Sequence, residues 1–131
     1  MSPRYLLDTD AVVDVLRARH GVAARLEREA PEDVAVSSMT VAELLYGVCC
    51  SSDPARSDRQ VRRFMDVVRQ IPFGRAAAEV HARLRFAARH ATIGPNDLVI
   101  AATAVATNAT LVTANVREFS RVSGLTVENW R

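Results

Sequence analysis

Lysine is absent from this chain of 131 residues, and all 17 basic side chains are arginine. That removes every lysine-dependent mechanism at once. Cysteine is confined to the adjacent pair Cys49 and Cys50, which cannot tie distant segments together. The pair reads as two reduced thiols near a helix end, as expected in a reducing compartment. Aromatic residues make up only 5% of the chain, so base stacking is not expected to be the main mode of recognising a nucleic acid. No apolar run approaches the roughly 20 residues needed to span a bilayer. The opening MSPRYLL shows neither a long apolar h-region nor a small-residue cleavage site, and a cytoplasmic location is expected. The net charge of +2 is too small to demand a polyanionic partner.

What the chain does contain is alternation. β-rich runs fall at Arg4–Asp8, Val34–Ser37, Arg69–Phe73, Thr110–Thr113 and Leu125–Glu128. Helical patterns lie between them, near 11–19, 21–30, 41–50, 54–68, 75–91 and 97–108, with a short one near 116–121. Strands alternating with helices predict an α/β fold, a parallel sheet covered on both faces, in one domain over residues 1–131. Asp53-Pro54 has the form of an N-cap followed by proline at the first helical position. In that helix Val61, Phe64, Met65 and Val68 recur at helical spacing and are expected to face the core. Ala77, Val80, Leu84 and Ala87 form the stripe of the next helix, and Phe86 falls off it. The helix near Asp97 continues LVIAATAVA, apolar nearly all round, and is expected to be buried.

The carboxylates fall in a pattern. Asp8 ends the first strand in YLLDTDAVVD. Glu43 lies in the first turn expected for the helix after the second strand, Asp97 opens the apolar helix after TIGPN, and Glu118 lies just beyond the strand ending at Thr113. Each sits near a strand's carboxyl end, and in an open parallel sheet those ends converge on one edge. Each also has a purely structural use. Thr40-x-x-Glu43 and Asn115-x-x-Glu118 have the form of capping boxes, Asp97 suits a helix dipole, and Asp8 suits a turn. The coincidence of all four at one edge favours function.

Two like charges ~4 Å apart repel by about 4 kcal/mol at an effective dielectric near 20. Several carboxylates stay ionised together only around a cation. Oxygen-only ligands select Mg²⁺ or Mn²⁺ over Zn²⁺. Such an ion activates water for in-line phosphodiester hydrolysis, which leaves a 5′-phosphate and a 3′-hydroxyl.

The blocks YLLDTDAVVDVL, SSMTVAELLYG, IGPNDLVIAATA and TLVTANVREFSRVSGLTVENW, in this order over nearly the whole chain, resemble the four motif blocks of PIN-domain ribonucleases. More narrowly they are similar to the VapC toxins of type II toxin–antitoxin systems. The resemblance implies a three-layer α/β/α fold around a five-stranded parallel sheet, and Mg²⁺- or Mn²⁺-dependent RNA cleavage. It also implies homodimers, a VapB-type antitoxin, and a heterotetramer or larger assembly with it. Asp8, Glu43 and Asp97 match the principal acidic positions, as both metal ligands and catalytic groups. Glu118 takes the fourth place, with Asn115 where many PIN domains carry Asp. Asp10 stands where relatives usually read Asn, so it either adds a ligand or caps the helix. Thr9 and Thr113 supply hydroxyls behind the carboxylates.

Rival chemistries remain. Asp8-Thr-Asp10-Ala-Val12 also fits the first motif of haloacid-dehalogenase-type phosphatases, with Asp8 as nucleophile, but their basic partner is typically the lysine this chain lacks. A metal-free ribonuclease would need two of His20, His81 and His90, all of which read as surface residues. A PIN-like module that binds RNA or a partner without cutting is the remaining alternative. Arg56, Arg59, Arg62, Arg63 and Arg69 cluster around one helix and Arg75, Arg83, Arg85 and Arg89 on the next. Of these, Arg56, Arg59, Arg63 and Arg85 are the candidates for tracking an RNA backbone. A solvated face partly paired with Asp58, Asp66 and Glu79 explains the same pattern.

Overall fold

In a computed structural model that describes residues 2–131, the apolar run Tyr5–Leu7 (β1) forms the central strand of a five-stranded parallel sheet. Val34–Ser37 (β2) and Arg69–Ile71 (β3) extend it on one side, Thr110–Val112 (β4) and Val127–Glu128 (β5) on the other. The order is β3-β2-β1-β4-β5. Leu6 lies level with Ala35 on one neighbour and Leu111 on the other. The chain builds outward from β1 through β2 to β3, then returns past it to β4. Strand order therefore reverses between β1 and β4, and the crevice at their carboxyl ends is where such sheets bind ligands.

Helices cover both faces: Thr9–Leu16 (α1), Val22–Leu26 (α2), Ser38–Cys49 (α3), Pro54–Val67 (α4), Arg75–Ala87 (α5), Pro95–Ala106 (α6) and Val116–Phe119 (α7). Strand side chains alternate between the faces, as a period of two requires. Tyr5, Leu7, Val34, Val36 and Val112 pack with Val12, Val22, Leu44, Val61, Phe64 and Trp130. Leu6, Ala35 and Leu111 pack on the other side with Leu84, Leu98, Ile100 and Phe119. This is the expected three-layer α/β/α architecture.

The details differ from the sequence reading where local chemistry decides. The helix α3 starts at Ser38 rather than 41, because the Ser37 hydroxyl accepts from the Thr40 N–H at 3.1 Å and caps it earlier. Glu43 thus falls in the second turn, not the first. The helix α1 starts directly after Asp8, whose carboxylate accepts from Thr9 N–H. The helix α6 opens at Pro95 and places Asp97 within its first turn. Asp53 caps α4 as expected, accepting from the Arg56 N–H. Of the stripe on α5, Ala77 and Leu84 are buried, Val80 is half-buried and Ala87 is exposed, because the helix ends there instead of running to 91. Phe86 is exposed, its ring covered by the Arg89 guanidinium. A 3-10 turn at Pro31–Asp33 leads into β2. Among the described residues no helix is long and apolar enough to cross a membrane.

Candidate metal and active site

Asp8 and Thr113 directly follow the two strands that pair at the switch of strand order. The Asp8 N–H donates to the Val112 carbonyl at 2.8 Å, which carries the ladder one residue beyond β1. The Asp8 carboxyl is 5% exposed. Its Oδ1 accepts from Thr9 N–H at 2.8 Å and its Oδ2 from the Thr113 hydroxyl at 2.9 Å. Burial, then the neighbouring charge of Asp10, pushes the Asp8 carboxyl up to about 7 despite those hydrogen bonds.

Asp10 does not cap α1; Asp8 does. Asp10 Oδ2 accepts from Ala114 N–H at 3.0 Å and lies 3.3 Å from the Thr113 hydroxyl. That hydroxyl has one proton, so it serves one carboxylate at a time. Asp10 Oδ1 is buried with no hydrogen-bond partner. A buried carboxylate oxygen without a donor is costly unless a cation meets it.

Asp97 approaches from α6. Burial, then the charges of Glu118 and Glu43, raises its carboxyl to about 6. Glu118 is held the other way. Its Oε1 accepts from Gly94 N–H and its Oε2 from the Asn115 amide, each at 2.8 Å, which keeps it below the ordinary carboxylate range. Of the two acids, Asp97 is therefore the more readily protonated. Neither anticipated capping box forms. Ser37 takes the role at α3, and the Asn115 side chain makes no cap bond to α7 but donates to Glu118 instead. Glu43 instead accepts from the Thr9 hydroxyl at 2.6 Å, with Thr40 behind Thr9 at 3.3 Å.

Asp8, Thr9, Asp10, Glu43, Asp97 and Asn115 line one open cleft of about 430 Å³. Thr113 lies buried beneath it. Glu118 stands behind Asp97 and lines an adjoining groove with Thr92, Asn115, Arg117 and Arg121. Arg56, Arg59 and Arg63 are exposed on α4 and Arg85 on α5; none of the four lines the cleft. Four polar side chains not assigned to the site from sequence also line it, Asp14, Arg19, His20 and Arg131, together with Val13. The spacing of Asp10 and Asp14, one helical turn apart on α1, was the available signal for the first. His20 is exposed, as expected, and its Nδ1 lies 3.1 Å from the Asp14 carboxylate.

The donor set suits a hard divalent cation: all oxygen, crowded, partly buried, with Asp10 Oδ1 unpartnered. Among the described residues no three of these carboxylates close tightly enough on one point to hold an ion by themselves. A bound ion would keep waters in part of its coordination sphere, as Mg²⁺ prefers.

The chain matches the PIN domain family over residues 5–125. It is 35% identical to the ribonuclease VapC2 of Rickettsia felis, over 96% of this chain and 97% of that protein. It is 29% identical to the tRNA(fMet)-specific endonuclease VapC of Shigella flexneri, over 97% of this chain and 98% of that one. Among solved structures it resembles VapBC2 from Rickettsia felis bound to a DNA fragment from their promoter, with a TM-score of 0.90 and 34% identity over 97% of this chain and 98% of the other. The parallel sheet, its strand order and the acidic crevice are thus those of a protein that belongs to the PIN-domain family, in its VapC branch.

Proposed function

We propose that this protein is a Mg²⁺- or Mn²⁺-dependent endoribonuclease that acts as the toxin of a VapBC-type toxin–antitoxin pair. The observation that carries the reading is the convergence of Asp8, Asp10, Glu43 and Asp97 on one cleft, with a buried carboxylate oxygen left without a donor. Asp8, Glu43 and Asp97 hold the ion, and Glu118 acts through Asp97 or through water. The ion, when bound, supplies an acidified water and neutralises charge developing on the phosphodiester. The Thr113 hydroxyl fixes the Asp8 carboxylate, the Ala114 N–H that of Asp10, and Thr9 fixes Glu43. Glu118, kept ionised by Gly94 and Asn115, keeps its negative charge beside Asp97, whose proton leaves to solvent as the cation arrives. Arg56, Arg59 and Arg63, with Arg85, track the RNA backbone beyond the cleft. The partner is a VapB-type antitoxin, as in the VapBC relatives, on a homodimer of this chain that assembles to a heterotetramer or larger.

The test is cleavage of end-labelled RNA by chelator-stripped protein. Added Mg²⁺ or Mn²⁺ is expected to restore cleavage with 5′-phosphate ends, and Asp97→Ala to lower it by about a hundredfold or more. Undiminished cleavage in chelator would overturn the mechanism and revive the histidines. Metal bound without cleavage of any RNA would favour the non-cleaving module.

A further inference from the structure

The cleft that gathers five carboxylates, counting Asp14, must admit a polyanion. Its basic lining residues are Arg19, His20 and Arg131, and two of them meet at one point. Asp14 is buried in α1, 5% exposed at its side chain. The Arg131 Nε donates to Asp14 Oδ2 at 2.7 Å and Nη2 to Oδ1 at 3.3 Å, a two-pronged grip that suits the planar guanidinium. His20 Nδ1 lies 3.1 Å from the same Oδ1.

This cluster is held in place from both directions. Arg131 follows Trp130, whose buried ring packs edge-on against Tyr5 at 5.1 Å, lies 4.5 Å from the Arg25 guanidinium and donates from Nε1 to Glu128. Arg19 and His20 lie in a turn in which Ala18, His20 and Gly21 all have positive φ, of 52°, 59° and 70°. A left-handed conformation at two residues with side chains is a cost usually found where position matters. A merely structural ion pair has no need to face the cleft. Yet Arg131 remains 38% exposed on its wall, and Nη1 makes no hydrogen bond among the described residues.

Resting on the ribonuclease reading above, we propose that Arg131, oriented by Asp14 and flanked by Arg19, grips an RNA backbone phosphate next to the one being cut. Asp14 is then a positioning residue, acting through Arg131. The guanidinium uses two N–H groups for its anchor and keeps others for phosphate oxygens, so the anchor fixes its direction before substrate arrives.

The experiment has two readouts on the full chain. In the first, a fluorescent single-stranded RNA is bound in Ca²⁺, and the binding constant is followed against salt. Each phosphate contact contributes about 0.7 to that logarithmic slope in single strands. The Arg131→Gln variant is expected to lose about that much slope and bind about tenfold more weakly, whereas Arg131→Lys keeps the slope. In the second, steady-state cleavage with Mn²⁺, KM rises about tenfold while kcat holds within about twofold, the signature of lost binding rather than lost chemistry. Because Arg131→Gln leaves the buried Asp14 with only His20 beside it, the double variant Asp14→Asn/Arg131→Gln is measured beside it and is expected to show the same slope and KM. Unchanged slope and KM in both variants, in a parent that binds and cleaves, would overturn the phosphate grip alone. Slope lost in the variants without metal-dependent cleavage by the parent would support the grip and sink the ribonuclease reading. A parent that binds no RNA would overturn both.

Discussion

Asp8→Asn is expected to make the metal-free protein more stable at pH 8 while lowering metal-dependent cleavage by about a hundredfold or more. The two effects share a cause. The folded chain keeps a proton on Asp8 up to about pH 7, whereas an exposed Asp loses it near the ordinary value of 3.8. Between those values the folded state binds more protons than the unfolded state, so this group's contribution to stability falls as pH rises. Above pH 7 the carboxylate is ionised in a buried place beside Asp10, and removing that charge recovers on the order of 2–4 kcal/mol. The gain should shrink as pH falls from 7 toward 4, where the parent is protonated too. Urea unfolding of parent and variant across that range checks it. Added Mg²⁺ should stabilise the parent at pH 8 and leave the variant nearly unmoved. A variant equally destabilised at pH 4 and pH 8 would mean that the carboxylate carries no such tension.

Leu6→Ala is the opposite experiment: a large effect on the fold with no change in chemistry. Leu6 is fully buried on the central strand, between Ala35 and Leu111, and faces Leu84, Leu98, Ile100 and Phe119. Truncation there removes transfer free energy and leaves a cavity that flanking strands cannot close, at a cost of roughly 2–5 kcal/mol. That is a large share of the roughly 5–15 kcal/mol total expected for such a protein. Thermal unfolding should show the midpoint fall by several degrees or more. At low temperature, where the variant remains folded, cleavage per folded molecule should match the parent. A matching loss of cleavage in fully folded Leu6→Ala would mean that the sheet core and the cleft are coupled more tightly than the geometry implies.

Much of this architecture was legible from periodicity. The apolar runs at Tyr5–Leu7, Val34–Ser37 and Thr110–Val112 are almost continuous because both faces of the sheet are covered, and that pattern marks central strands. The strand at Val127–Glu128 is shorter than its sequence run, and its exposed edge position gives its flanks little to bury against. Helix starts were misplaced where two hydroxyls compete for one cap, as Ser37 and Thr40 do. The acidic residues could be placed at one edge because each follows a strand. Their unequal roles could not, since those depend on which N–H groups the backbone happens to offer, as Gly94 does to Glu118. Arg131 was invisible as a cleft residue because it reaches Asp14 across 117 positions. The conspicuous arginines of α4 lie elsewhere, on the polar face opposite Val61 and Phe64.

The most direct test of the central claim, that this cleft is a divalent-cation site, is a Mn²⁺ titration of chelator-stripped protein followed by electron paramagnetic resonance, at pH 6 and pH 8. Asp8 and Asp97, with carboxyls raised to about 7 and about 6, must release protons before the ion is held. The account predicts binding that tightens from pH 6 to pH 8, with proton uptake by the buffer, and that is lost in Asp8→Asn and Asp97→Ala alike. Equal Mn²⁺ binding by the parent and both variants, or binding indifferent to pH, would place the ion elsewhere and contradict it.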